Sequence, residues 1–196
     1  MDFEAIRGLA KHHKQMFGRT VKCEMYRLEN GSRLAIAQMH DDYHDMSLAI
    51  LLSDAYRIEE IAGKMDRIPY PCCETKPLSM LAVLKGIAVL ERGGLKTVKE
   101  RIPRNMSCTH VYEMLESTFR AIFVGSYGIA DKKWEGVLDL ELEENRQLGL
   151  QSPILADTCH AFNLQSVDPG ILERARKKVE DARRKMAAIE AVKRGE

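Results

Sequence analysis

The pair Asn30-Gly31 stands between two strand-like runs, residues 21–29 and 32–39. Asn-Gly readily takes the left-handed backbone that a tight hairpin turn demands, so the chain is expected to double back there and pair the two runs antiparallel. Residues 46–53 then alternate: Met46, Leu48, Ile50 and Leu52 share one face, and Ser47, Ala49, Leu51 and Ser53 share the other. That period of two predicts a third strand. A turn around Asp54-Ala55 leads into a fourth, less regular strand over 57–68, stopped by Pro69 and Pro71, which cannot donate to a ladder.

Helical spacing surrounds this sheet. Phe3, Ile6, Leu9, Ala10, His13 and Phe17 predict an amphipathic helix over 2–17, ended by Gly18. From Lys76 the period turns helical, with Pro77 placed in a first turn and Leu78, Leu81, Ala82 and Val89 along one side. Gly93-Gly94 breaks this run, and a short helix through Val98 ends near Pro103. Ser107 or Thr109 then caps a helix carrying Val111, Met114, Leu115, Thr118 and Ile122. Residues 134–150 are expected to be helical and 152–165 irregular. Asp168-Pro169 opens a long terminal helix with Leu172, Ala175, Val179, Ala182, Met186 and Ile189 at three- and four-residue steps. Such a seam either joins two copies of the chain, a homodimer through 169–193, or lies back on its own domain. The expected fold class is α+β: an antiparallel sheet of three to four strands covered by helices, with a long carboxy-terminal helix. Residues 1–126 form the core domain of this reading and 127–196 a helical extension.

Charge and cysteine count narrow the function. With 30 basic and 29 acidic residues the chain has no global field to draw nucleic acid or an anionic membrane. The basic residues of 174–185 are interleaved with acids, as on a solvated helix face. The apolar run 78–90 is interrupted by Lys85 and Gly86 and falls short of the roughly 20 residues that span a bilayer. Asp2 and Glu4 leave no apolar signal core at the amino end, so a cytoplasmic protein is expected. Five cysteines in such a chain point to metal or thiol chemistry rather than a disulfide framework. No phosphate-cradling glycine loop or nucleophile elbow is present.

Three segments carry the candidate chemistry: residues 40–45 before the third strand, Cys72-Cys73 after the fourth, and Cys108-Thr109-His110 at a helix start. In an antiparallel meander the start of strand three and the end of strand four share one edge, so His44 and Asp45 are expected to approach Cys72. A helix opening at Cys108 with its amino end on that edge completes a set of sulfur, nitrogen and oxygen donors. Such a set suits zinc or an iron–sulfur cluster. Cys72 or Cys73, Cys108 and His44 are the expected ligands, with Asp45 or His110 as a fourth ligand or a supporting partner. A helix amino terminus also favours an anionic sulfur, which makes Cys108 the candidate nucleophile or redox thiol of an enzyme with a histidine as base. A third possibility is a non-catalytic interaction module in which these side chains satisfy one another. Cys23 reads as core, His12-His13 as solvent or packing, and Cys159-His160 as a further donor segment only if the tail folds back.

The motifs His44-Asp45-Met46, Pro69-Tyr70-Pro71-Cys72 and the block from Ser107 to Leu115 that contains Cys108-Thr109-His110 resemble, over roughly residues 20–125, an uncharacterised bacterial family of unknown function. In that family a His-Asp-Met strand start, a Tyr-x-x-Cys loop and a Cys-Thr-His helix start follow in this order. Where the family has a proline after the loop cysteine, this chain has Cys73. The order is also remotely similar to iron–sulfur scaffold proteins of the NifU amino-terminal and IscU type. That similarity implies a scaffold-like role, with Asp45, Cys72 or Cys73, and Cys108 at the cluster positions; Tyr43 or His44 stands where the first scaffold cysteine would be.

Overall fold

In the computed structural model, residues 1–91, 93–126, 136–152 and 155–194 are described. They divide into two compact units, Met1–Gly125 and Ser126–Glu196.

The first unit is built on a four-stranded antiparallel meander, β1 (Arg19–Arg27), β2 (Arg33–Asp41), β3 (Asp45–Leu52) and β4 (Ile58–Arg67), in the order β1-β2-β3-β4. The turn between β1 and β2 sits where Asn30-Gly31 predicts it: Gly31 has φ 87°, and the Asn30 side chain accepts from the Ser32 N–H at 3.0 Å. Pairing of Met39 with Met46, Ala37 with Leu48 and Ala35 with Ile50 puts all six side chains on one face, and all six are buried. The irregular burial along β4 has a local cause. A register shift between Leu51 and Leu52 sets Ile61 opposite Ile50 and Ile58 opposite Leu52, so both isoleucines face the core although three residues apart.

Helices cover that face. After α1 (Phe3–Gly8) and the sheet come α2 (Cys72–Ser79), which runs on into a 3-10 turn over Met80–Leu84, then α3 (Gly94–Arg101) and α4 (Thr109–Ser126). Leu81, Leu84, Val98, Ile102, Val111, Met114, Leu115, Phe119 and Ile122 close the core with the strand residues. Gly63 allows the closest approach in this layer. A Cβ there would lie 2.8 Å from Leu78 Cδ2 and 3.2 Å from Leu81 Cδ1, so bare backbone lets α2 settle on β4.

Three expectations are corrected here. The first helix spans Phe3–Gly8 rather than 2–17, and its apolar side chains Phe3 and Ile6 are exposed; His12, with φ 67°, has left the helical region. The helix expected from Lys76 starts at Cys72, which carries Pro77 in its interior rather than its first turn. It also ends early, because Gly86 turns at φ 82° and residues 86–89 run beside the start of β4: Gly86 N–H donates to Ile58 O at 2.8 Å and Val89 N–H to Tyr56 O at 3.0 Å.

The second unit contains α5 (Leu142–Gly149), two 3-10 turns at His160–Phe162 and Leu164–Ser166, and α6 (Pro169–Arg194). The expected helix 134–150 is shorter, and its first residue, Trp134, lies outside the described residues. Glu141 and Glu144 form a capping box at the start of α5. The buried Glu144 carboxylate receives Lys178 at 2.7 Å, and buried Gln147 accepts from the Asp168 N–H at 2.9 Å, which ties α5 to the start of α6. Leu172, Ala175 and Ala182 of the seam are buried, whereas Ile189 and Val192 are exposed. Among the described residues no helix is long and apolar enough to cross a membrane.

Candidate functional site

The β2–β3 turn occupies only residues 42–44, and one side chain shapes it. Asp41 continues the core-facing parity of Ala37 and Met39, so its carboxylate is driven inward and is fully buried. A buried carboxylate must collect donors. It accepts from the backbone N–H groups of Tyr43 and His44, each at 2.8 Å, from His44 Nδ1 at 3.0 Å, and from Arg19 Nε at 2.7 Å. Burial alone would raise the Asp41 pKa, but these four hydrogen bonds outweigh it and hold the group well below the usual carboxylate range. Arg67 reaches across from β4 and donates to Asp41 O at 2.6 Å, which fixes the turn from the other side.

A carboxylate can only accept, so His44 Nδ1 carries the proton in this contact and Nε2 is left as the other ring nitrogen. His44 is itself buried, at 5% exposure. Its ring lies against that of His110, centroids 3.8 Å apart and tilted by 49°. His110 is held at both nitrogens. Arg19 Nη2 stands 3.0 Å from Nε2, and Cys108 Sγ stands 3.6 Å from Nδ1. A guanidinium can only donate, so Nε2 accepts and the proton belongs on Nδ1, pointed at the sulfur. Burial first, then the electrostatic influence of the neighbouring His44 and of the Arg19 guanidinium, push the His110 pKa down, in keeping with a neutral ring. Arg19 also pairs with Glu113 at 2.8 Å, so one guanidinium joins β1, the β2–β3 turn and the first two turns of α4.

These groups open onto a cavity of about 570 Å³ lined by His44, Cys72, Cys73, Ser107, Cys108 and His110, with Tyr43, Tyr70, Pro69 and Pro77 as apolar walls. Two helix starts deliver the sulfurs. Cys72 and Cys73 open α2, the Cys73 N–H donating to Tyr70 O at 2.9 Å; Cys108 precedes α4, its carbonyl accepting from the Tyr112 N–H at 3.2 Å. Cys72 is exposed, while Cys73 and Cys108 are half-buried. Burial, then the negative charges of Cys108 and Cys72, push the Cys73 thiol up. Ser107 Oγ, in the same wall, is buried without a hydrogen-bond partner among the described residues, as is the hydroxyl of Tyr112.

Of the six expected site residues, five line this cavity and Asp45 does not. The pleat is the reason. Met46 faces the core, so Asp45 faces the opposite side, where it meets His40 at 3.6 Å. Asp41, missed in the sequence, is the carboxylate that meets His44. The readable signal was its parity with Met39 together with its place two and three residues before the N–H groups it caps, the spacing of an Asx turn. Arg19 and Glu113 carried no comparable signal. Among the described residues no three His, Cys, Asp or Glu side chains stand together as a ready-made metal ligand set. Cys23 is half-buried against the core, its thiol pushed up by burial. His12 and His13 are exposed. Cys159 and His160 are exposed in the second unit, where they line a separate cavity of about 290 Å³.

No curated protein and no solved structure matches the chain. One family model does, over residues 21–123, and that stretch holds β1 from Val21 onward, all of β2 to β4, and every residue lining the larger cavity. Because the match takes in 103 of the 196 residues, the chain belongs to the family described as protein of unknown function (DUF2889).

Proposed function

We propose that the cavity is a thiol reaction site in which Cys108 attacks a small electrophilic substrate and His44, oriented by Asp41, handles the proton. The observation that carries this reading is the meeting, on one cavity, of a sulfur at a helix start with an imidazole backed by a buried carboxylate. In the step envisaged, the Cys108 S–H bond breaks and its proton passes to His44 Nε2 while the sulfur bonds to the electrophilic atom. The displaced group takes that proton as it leaves. His110 has a different part. With Nε2 accepting from Arg19, its Nδ1–H donates to the sulfur and is not free to act as the base.

Iodoacetamide labelling with peptide mass spectrometry tests the proposal. Cys108 is expected to be alkylated ahead of Cys23, Cys72, Cys73 and Cys159, and His44→Ala is expected to slow that reaction severalfold. Labelling of Cys108 no faster than that of the exposed Cys72 would overturn it.

A second reading is zinc or iron–sulfur binding, and one observation favours it. An imidazole that donates Nδ1–H to a carboxylate and keeps Nε2 for a ligand is the usual posture of a metal-bound histidine. His44, Cys108 and Cys72 or Cys73 would be the donors, which must draw together on binding because among the described residues they do not stand as a ready-made set. His110 fits poorly, since a metal on Nδ1 would force a proton onto Nε2 against the Arg19 donor. Metal and labile-sulfide analysis of the protein purified from cells tests this reading; a folded protein with substoichiometric zinc and iron counts against it.

A further inference from the structure

An acid–base partnership of His44 and Cys108 leaves two further thiols on the same cavity without work. Cys72 and Cys73 are adjacent in sequence, and both lie in the first turn of α2. Successive side chains on an α-helix point about 100° apart, so these two are poorly placed to bond to each other. The bond that the arrangement allows is across the cavity, between the start of α2 and the start of α4. Of the two candidates on α2, Cys72 faces solvent, whereas Cys73 is half-buried like Cys108. Cys72 is left in solution, while Cys73 shares the half-buried wall of the cavity with Cys108 and feels its charge.

We infer that Cys73 and Cys108 form a redox pair acting on small disulfides, with Cys108 as the attacking thiol and Cys73 as the resolving one. This rests on the reading of Cys108 as the reactive thiol and names its substrate class. The reaction balances in two exchanges. Cys108, having given up its proton, attacks one sulfur of the substrate disulfide; the S–S bond breaks and one thiol departs, leaving Cys108 in a mixed disulfide. Cys73 then loses its proton and attacks the Cys108 sulfur, which expels the second thiol and closes a Cys73–Cys108 disulfide. The substrate is reduced by two electrons and the protein oxidised by two; a low-molecular-weight thiol restores the pair. The walls suit an uncharged or apolar substrate, for among the described residues neither Lys nor Arg lines the cavity while Tyr43, Tyr70, Pro69 and Pro77 do.

The test uses the reduced full-length protein and bis(2-hydroxyethyl) disulfide, a small neutral probe, with acid quenching and peptide mass spectrometry. Wild type is expected to yield a Cys73–Cys108 linked peptide and to release two molecules of 2-mercaptoethanol. Cys73→Ser is expected to stop at the Cys108 mixed disulfide with release of one, and Cys72→Ser to behave as wild type. Circular dichroism of the variants checks that they fold. A wild type that stops at the mixed disulfide, or that links Cys72 instead, overturns the pair while leaving Cys108 as the reactive thiol. If Cys108 neither exchanges with the probe nor alkylates with iodoacetamide, the reading of Cys108 fails and the pair fails with it.

Discussion

Replacing Asp41 tests whether its buried carboxylate holds the site together. In Asp41→Ala the Tyr43 and His44 N–H groups and the His44 Nδ1–H lose their acceptor at once, and Arg19 keeps Glu113 and His110 but loses its buried carboxylate. An orphaned buried donor costs about 1–3 kcal/mol, and removing one partner of a buried ion pair about 3–5 kcal/mol. The losses overlap because the turn relaxes as a piece, so about 3–5 kcal/mol is expected in total. Asp41→Asn behaves differently. Its carbonyl oxygen still accepts at the Oδ1 position, while its amide group faces the Arg19 Nε donor where Oδ2 had accepted it at 2.7 Å. That is one charge-assisted hydrogen bond lost, about 1.5–3 kcal/mol. At about 2–4 °C per kcal/mol for a chain of this size, the melting temperature should fall by about 6–20 °C for alanine and by about 3–12 °C for asparagine. Thermal and urea denaturation followed by circular dichroism measure both. An alanine variant within about 1 kcal/mol of wild type, or an asparagine variant that melts below the alanine one, would refute the account of this carboxylate.

Three further outcomes are expected. Gly63→Ala forces a methyl group against Leu78 and Leu81 and should destabilise the first unit by about 1–3 kcal/mol, measured by urea denaturation; an unchanged midpoint would mean that α2 moves aside without cost. Because the folded pKa of His110 is depressed, its contribution to stability is present above the unfolded histidine value of about 6.5 and is lost as pH falls through the folded value. The melting temperature should therefore drop as pH is lowered from 7 towards 5, and less so in His110→Gln; equal slopes would contradict the assignment. A homodimer built through 169–193 has Ile189 and Val192 as its exposed apolar side chains, so Ile189→Lys with Val192→Lys should turn dimer into monomer in analytical ultracentrifugation, and a dimer that survives both changes uses another surface.

Much of the sheet was legible because burial on one face imprints a period of two. Met46, Leu48, Ile50 and Leu52 announced β3, and the Asn30-Gly31 pair announced the β1–β2 turn. The shared rim followed from the meander itself: Asp45 pairs with Arg67, so the start of β3 and the end of β4 meet. The same period in β2, followed two residues on from Met39, would have turned attention from Asp45 to Asp41. What stayed hidden depends on contacts between distant segments. Arg19 meets Glu113 and His110 over more than ninety positions of chain, a pairing that no local pattern encodes. Pro77 pointed to a helix start because proline is favoured there, whereas packing over Gly63 keeps α2 helical from Cys72 despite it.

Arg19 bears on how this protein should be cut. The family match begins at residue 21, two positions after it. A fragment trimmed to those limits would keep every residue that lines the larger cavity and lose the guanidinium that donates to Asp41, Glu113 and His110 together. Without that donor the His110 proton is free to move to Nε2, and the sulfur beside Nδ1 loses its hydrogen-bond donor. Excised pieces should therefore start upstream of β1, or a silent thiol will be mistaken for a property of the whole chain.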